Sequence, residues 1–215
     1  MRSKQFLGGF LVIALFLAGC APIAASVSAK DTYSPNKISA ELIGQVLNAS
    51  PQVSAQYGYV SYLSGFDTAA LISAGDVLSE TSALLTFYND STVESVFNNG
   101  TMRVIDRSGE TTFYLNPTPA GDFGDPETFR AGDVVMKASF RHQVILDTVT
   151  GAFTAHFDCV VVSSEPFTLT EKSYQLGEAG HPFEVNFSGH LNPQAPPSGY
   201  MGGFITGLEV QATKK

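Results

Sequence analysis

Two adjacent runs with a period of two constrain this chain more than anything else in it. In 134–146 the even positions Val134, Met136, Ala138, Phe140, His142, Val144 and Leu146 form the more apolar set, while the odd ones include Lys137, Ser139, Arg141 and Gln143. In 152–161 the apolar set is odd: Phe153, Ala155, Phe157, Cys159 and Val161. Period two belongs to a pleated strand with one buried face, and the short gap between the runs makes them a hairpin. Opposed residues of an antiparallel pair share a face, so even numbers must meet odd ones. A four-residue loop, Thr148-Val149-Thr150-Gly151, satisfies that parity. It sets Phe140 against Cys159, His142 against Phe157, Gln143 against His156 and, toward solvent, Arg141 against Asp158. A slip by one residue would expose the whole apolar set. Burying one large side chain is worth about 1.5–3 kcal/mol, against about 0.2–1 kcal/mol for a cross-strand charge pair, so burial decides the register.

The rest of the chain from Tyr57 onward reads as further short β-rich runs broken by turn residues. Strands are predicted near 57–64, 82–88, 92–98, 101–107, 110–115, 134–147, 152–163, 182–190 and 202–211. Asn99-Gly100 is a strong hairpin signal; as a two-residue loop it places Phe97 opposite Met102 and Val96 opposite Arg103. Ahead of these, Ile38, Leu42, Ile43, Val46 and Leu47 recur at helical spacing and predict a short amphipathic helix before Pro51. Short strands, hairpin turns and no βαβ rhythm define an all-β domain. The expectation is an antiparallel β-sandwich or flattened β-barrel of about nine strands, with the sandwich preferred.

The N-terminus carries a different signal. Met1-Arg2-Ser3-Lys4 is basic, and Phe6 to Ala18 follows without a charge. That apolar run has the length of a signal-peptide core and is too short for a typical bilayer-spanning helix. Leu17-Ala18-Gly19-Cys20 closes it. This order resembles the lipobox of bacterial lipoproteins. The resemblance implies cleavage before Cys20, whose sulfur then carries a diacylglycerol. It divides the chain into a signal peptide (1–19), a lipidated N-terminus and tether (20–37), and a single β-rich domain (38–215). Two acyl chains suffice for stable anchoring, so the membrane is the first expected partner. Ala21 after the cysteine implies the outer membrane if the host has two.

Charge narrows the other partners. Once Arg2 and Lys4 leave with the signal, ten basic residues face twenty acidic ones. Such a surface repels nucleic acid, and no nucleic-acid function is expected. With Cys20 lipidated, Cys159 has no disulfide partner, and its place on the apolar face predicts a buried, unreactive thiol. The triplets at Asn48, Asn89, Asn99 and Asn186 match a glycosylation acceptor, but a bacterial lipobox makes them chance.

No sequence pattern marks a catalytic centre or a cofactor. Nucleophile-elbow, P-loop, dinucleotide, H-E-x-x-H and C-x-x-C patterns are all missing. His142 and His156 lie on facing strands, but the register turns them to opposite faces. His181 falls in a turn and His190 points outward, so no metal site is expected. The longest loop, 116–133, carries Asp122, Asp125, Glu127 and Asp133 without a calcium-loop spacing; solvated carboxylates in local turns are the expectation. Tyr57, Tyr59, Tyr62 and Tyr200 are read as sheet packing rather than sugar stacking. The function expected is a non-enzymatic envelope lipoprotein that binds a protein partner or small ligand. The rival is a hydrolase working through two carboxylates. A concave pocket containing paired acids favours the rival, and an apolar, acid-free interior favours the binder.

Overall fold

Alternation along the strands closes the sheet on itself. The computed structural model describes residues 37–73, 77–195 and 198–213. The segments expected as signal peptide and tether, and Cys20 with them, lie outside the described residues as far as residue 36. Eight strands form a closed antiparallel barrel: β1 (Ile38–Leu47), β2 (Val53–Leu63), β3 (Leu85–Asn99), β4 (Met102–Leu115), β5 (Asp133–Asp147), β6 (Ala152–Ser164), β9 (Pro182–Leu191) and β10 (Ser198–Thr206). Between β6 and β9 run β7 (Phe167–Leu169) and β8 (Lys172–Leu176), which join β11 (Val210–Ala212) in a small sheet ordered β11-β8-β7. Around the ring the order is β1-β10-β9-β6-β5-β4-β3-β2, and β2 returns to β1.

The β5–β6 hairpin has the register its alternation requires. Phe140 pairs with Cys159, His142 with Phe157 and Gln143 with His156. Arg141 lies opposite Asp158, although the group within ion-pair distance of Asp158 is His156, at 3.4 Å. The Asp147 carboxylate pins the four-residue turn, accepting from the Val149 N–H at 2.9 Å and the Thr150 hydroxyl at 2.9 Å. Those bonds, Val149's first, hold its pKa below the usual carboxylate range.

Several expectations are corrected. The preferred sandwich gives way to the barrel, because β1 pairs with both β10 and β2 and leaves the ring without an edge. The segment expected as a helix is that closing strand. Ala40, Leu42, Gly44 and Val46 face inward at period two while Ile43 is exposed, so sheet partners on both sides override a spacing that fits either period. The runs 82–88 and 92–98 are one strand, as are 101–107 and 110–115. Their apparent breaks, Asn89-Asp90-Ser91 and Ser108-Gly109, meet where Ser91 pairs with Gly109. There the strands approach so closely that a Cβ on Gly109 would sit 1.9 Å from the Asp90 carbonyl oxygen, so that glycine permits contact rather than a turn.

The β3–β4 register differs from expectation by two residues: Asn99 pairs with Met102 and Phe97 with Val104. The loop is Gly100-Thr101, and Gly100 alone takes a positive φ, 60°, as a type II′ turn requires at its first central residue. The run 202–211 splits into β10 and β11 because Gly207 turns the chain at φ 84°. Val134 points outward and Val135 is buried, the effect of a bulge opposite Phe113 and Tyr114.

Inside, Phe87, Phe113, Phe140, Phe157 and Phe187 meet across the midsection, with neighbouring centroids 5.1–6.2 Å apart. At the end where β1 begins and β6 finishes, the small sheet and its flanks add Phe167, Leu169, Leu176 and Leu208 to the same core. Phe66 packs on Tyr174 there at 4.5 Å. A second core lies outside the barrel wall, where the 116–132 loop lays Phe123 and Phe129 over Tyr57, Tyr88 and Tyr114. No helix among the described residues is long and apolar enough to cross a membrane.

Candidate functional site

The opposite end of the barrel is not filled. Between the β1–β2, β3–β4, β5–β6 and β9–β10 turns lies a cavity of about 60 Å³ that opens to solvent at its mouth. Phe157 and Phe187 from the midsection form part of its lining, together with Val144, Leu146, Phe153 and Met201. Four polar residues also line it: Asn48, Gln56, Arg107 and His142. None of the described lining residues is acidic.

Register explains why the polar groups converge. Arg107 on β4 is the facing partner of His142 on β5, which in turn faces Phe157 on β6. Arg107 is buried, and its Nη2 donates to Asn48 Oδ1 at 3.0 Å. Its Nε has no hydrogen-bond partner, and no carboxylate of the described residues lies within ion-pair distance. Burial pulls its pKa down to about 10, which leaves the guanidinium charged at neutral pH. His142 is 4% exposed, stacked on Phe140 and edge-on to Phe157 with centroids 4.2 Å apart. Neither ring nitrogen has a partner. Burial first, and then the Arg107 charge, holds its pKa down at about 3, against a smaller opposing pull from Asp106. The imidazole is therefore neutral at pH 7. Gln56 donates to Ser54 Oγ at 2.8 Å, while its Oε1 is buried and unpartnered. Each such group costs about 1–3 kcal/mol in a closed interior, so four around one cavity is an arrangement that stability alone does not favour.

The mouth has a lip. β2 pairs with β3 only as far as Val53 opposite Thr92, and a register shift between Val93 and Ser95 follows. Beyond it the β3–β4 hairpin continues without a β2 neighbour, leaving Val96 opposite Ile105 and 47% exposed. Arg103, opposite Leu146, shares the inward face of β4 with Ile105 and Arg107.

The residues singled out from sequence are scattered. Cys159 is buried opposite Phe140, and burial pushes its thiol up to about 12, the inert state expected of it. His142 is inward and His156 outward, as the register required. His181 Nε2 lies 2.7 Å from the Gly207 carbonyl, and His190 is exposed. The loop acids act separately. Asp122 accepts from the Gly124 N–H at 2.7 Å, Asp125 from the Glu127 N–H at 3.3 Å, Glu127 pairs with Arg130 at 3.5 Å, and Asp133 opens β5. Tyr57 is buried beneath the loop, whereas Tyr200 is exposed on β10. Cys20 lies outside the described residues.

Two groupings escaped sequence reasoning. Arg107 meets His142 only through the β4–β5 pairing, which spacing within either strand does not reveal. On the outer wall, His156, Asp158 and Glu184 bring one ligand atom each within 4.8 Å of the others. Their meeting depends on the β6–β9 pairing, Asp158 opposite Glu184, which no local spacing announces. All three are exposed, and His156 Nδ1 lies 2.9 Å from Asn186 Oδ1.

No family model, curated protein or solved structure matches this chain.

Proposed function

We propose that this chain is a lipid-anchored, extracytoplasmic β-barrel protein that binds a small apolar ligand in its end cavity without transforming it. The observation that carries the reading is a recessed, apolar, acid-free cavity in the mouth of the barrel. Barrel mouths are favoured places for such sites. Recession favours a small molecule over a protein partner, which needs its apolar contact surface near the exterior. The rival hydrolase requires two carboxylates facing one substrate. The lining offers a cation and a neutral imidazole instead. Cys20 and the basic-apolar-lipobox order before it support the anchor and the location outside the cytoplasm.

The test is binding of a neutral fluorophore, 1-aminoanthracene, to the full chain. Saturable binding with a blue shift is expected, and Ala155→Phe, which fills the cavity from its wall, should abolish it. No binding, or binding indifferent to Ala155→Phe, overturns the reading.

A further inference from the structure

We infer that the occupant of this cavity is a small apolar carboxylate, its head group received by Arg107 and its hydrocarbon part lying against the phenylalanine-lined wall. This rests on the cavity being a ligand site and adds the chemical class of ligand.

Charge comes first. Arg107 is buried with no carboxylate of the described residues in ion-pair range, so its charge lacks the partner that buried ions otherwise have. The group facing it across the strands, His142, adds no second positive charge and no negative one. A single uncompensated guanidinium matches a monoanion. A phosphate monoester, carrying about −1.5 to −2 at neutral pH, would remain over-charged in the same place.

Geometry comes second. Guanidinium presents a planar fork that suits the two oxygens of a carboxylate. Here one nitrogen is committed to Asn48 Oδ1, and Nε–H is left without an acceptor. Neutral His142 supplies one further N–H. Every unsatisfied donor at this end thus asks for the same thing, an oxygen acceptor carrying negative charge. Beyond them the wall is Val144, Leu146, Phe153, Phe157 and Phe187, which offers a hydrocarbon tail apolar surface and nothing polar. Arg103, nearer the rim on the same face of β4, favours entry of an anion over a cation.

The experiment compares three probes of one chain length, hexanoate, hexanol and hexylammonium, by calorimetry and saturation-transfer NMR on the full chain. Hexanoate should bind on the order of tenfold or more tighter than hexanol, and hexylammonium least. Arg107→Met should remove the preference for hexanoate, leave hexanol unchanged and raise the melting temperature, since a buried unpaired charge is gone. Arg107→Lys, which keeps the charge and loses the fork, should retain part of the preference. Equal binding of hexanoate and hexanol to the unaltered protein overturns the inference while leaving the cavity a ligand site. A preference for hexylammonium does the same. If hexanoate and hexanol both fail to bind while 1-aminoanthracene binds, the carboxylate assignment falls alone; if all three fail, the ligand site falls with it.

Discussion

His142 stays neutral where an ordinary histidine would begin to titrate, and that single fact has a measurable sign. Its pKa in the folded barrel is about 3, against 6.5 for the free side chain. Between those values the unfolded chain binds a proton that the folded one refuses. Stability from this residue is therefore fully present above pH 6.5 and is lost as pH falls toward 3. The slope is about 1.4 kcal/mol per pH unit, so moving from pH 6.5 to 4.5 should cost on the order of 2 kcal/mol. His142→Phe removes the titrating group and both unpartnered nitrogens while keeping a ring against Phe140 and Phe157. Urea unfolding of the two proteins across pH 4.5–7.5 should show the unaltered chain losing stability more steeply. Parallel profiles would mean that the imidazole is not buried neutral. Asp106, beside Arg107 in sequence, is held below the usual carboxylate range by bonds from Gln143 and Ser95; it is present in both proteins, so the difference isolates His142. The inward position of this histidine was legible in the alternation of 134–146. Its pairing with Arg107 was not, because that pairing belongs to a neighbouring strand.

At the scale of the element, strand patterns were legible where one face is apolar and the other charged, as in β5 and β6. They failed where polar residues face inward or where glycine serves contact, as in β3 and β4. β1 failed for a third reason: in ten residues, inward Leu42 and Val46 stand four apart and fit a helix as well as a strand. The short β7–β8 hairpin left no periodic signal, being three and five residues long. Its turn also breaks the sequence rule that would have found it. Thr170 and Glu171 take φ values of 48° and 70°, the left-handed region that glycine and asparagine tolerate and β-branched residues resist. Replacing them by Asn-Gly should relieve that strain. Thr170→Asn with Glu171→Gly is expected to raise stability by about 1 kcal/mol, read as a shift in the urea midpoint at constant m-value. A lower midpoint would show that the native side chains contribute more than the backbone loses.

For the molecule as a whole, the choice between barrel and sandwich depended on whether the first strand meets the last of the ring, a relation between residues some 160 positions apart that no local pattern encodes. The proposed anchor is the reverse case: the reading rests wholly on the first twenty residues and draws nothing from the fold. Cys20→Ser should move the protein from the membrane fraction to the soluble fraction and end incorporation of a fatty-acid probe. Labelling that survives the substitution would reject the lipobox assignment.

The seam between β1 and β10 also bears on how the barrel comes into being. Ile43 pairs with Gly202 and Leu47 with Ser198, so the ring is sealed by segments from the two ends of the domain. Loop closure on that scale is entropically slow, and contact order predicts folding in milliseconds to seconds rather than microseconds. Until β10 has emerged, β1 and β9 each present an unpaired row of backbone donors and acceptors. A chain that emerges in order from its N-terminus therefore remains an open sheet with two adhesive margins, vulnerable to pairing with its own copies until β10 arrives.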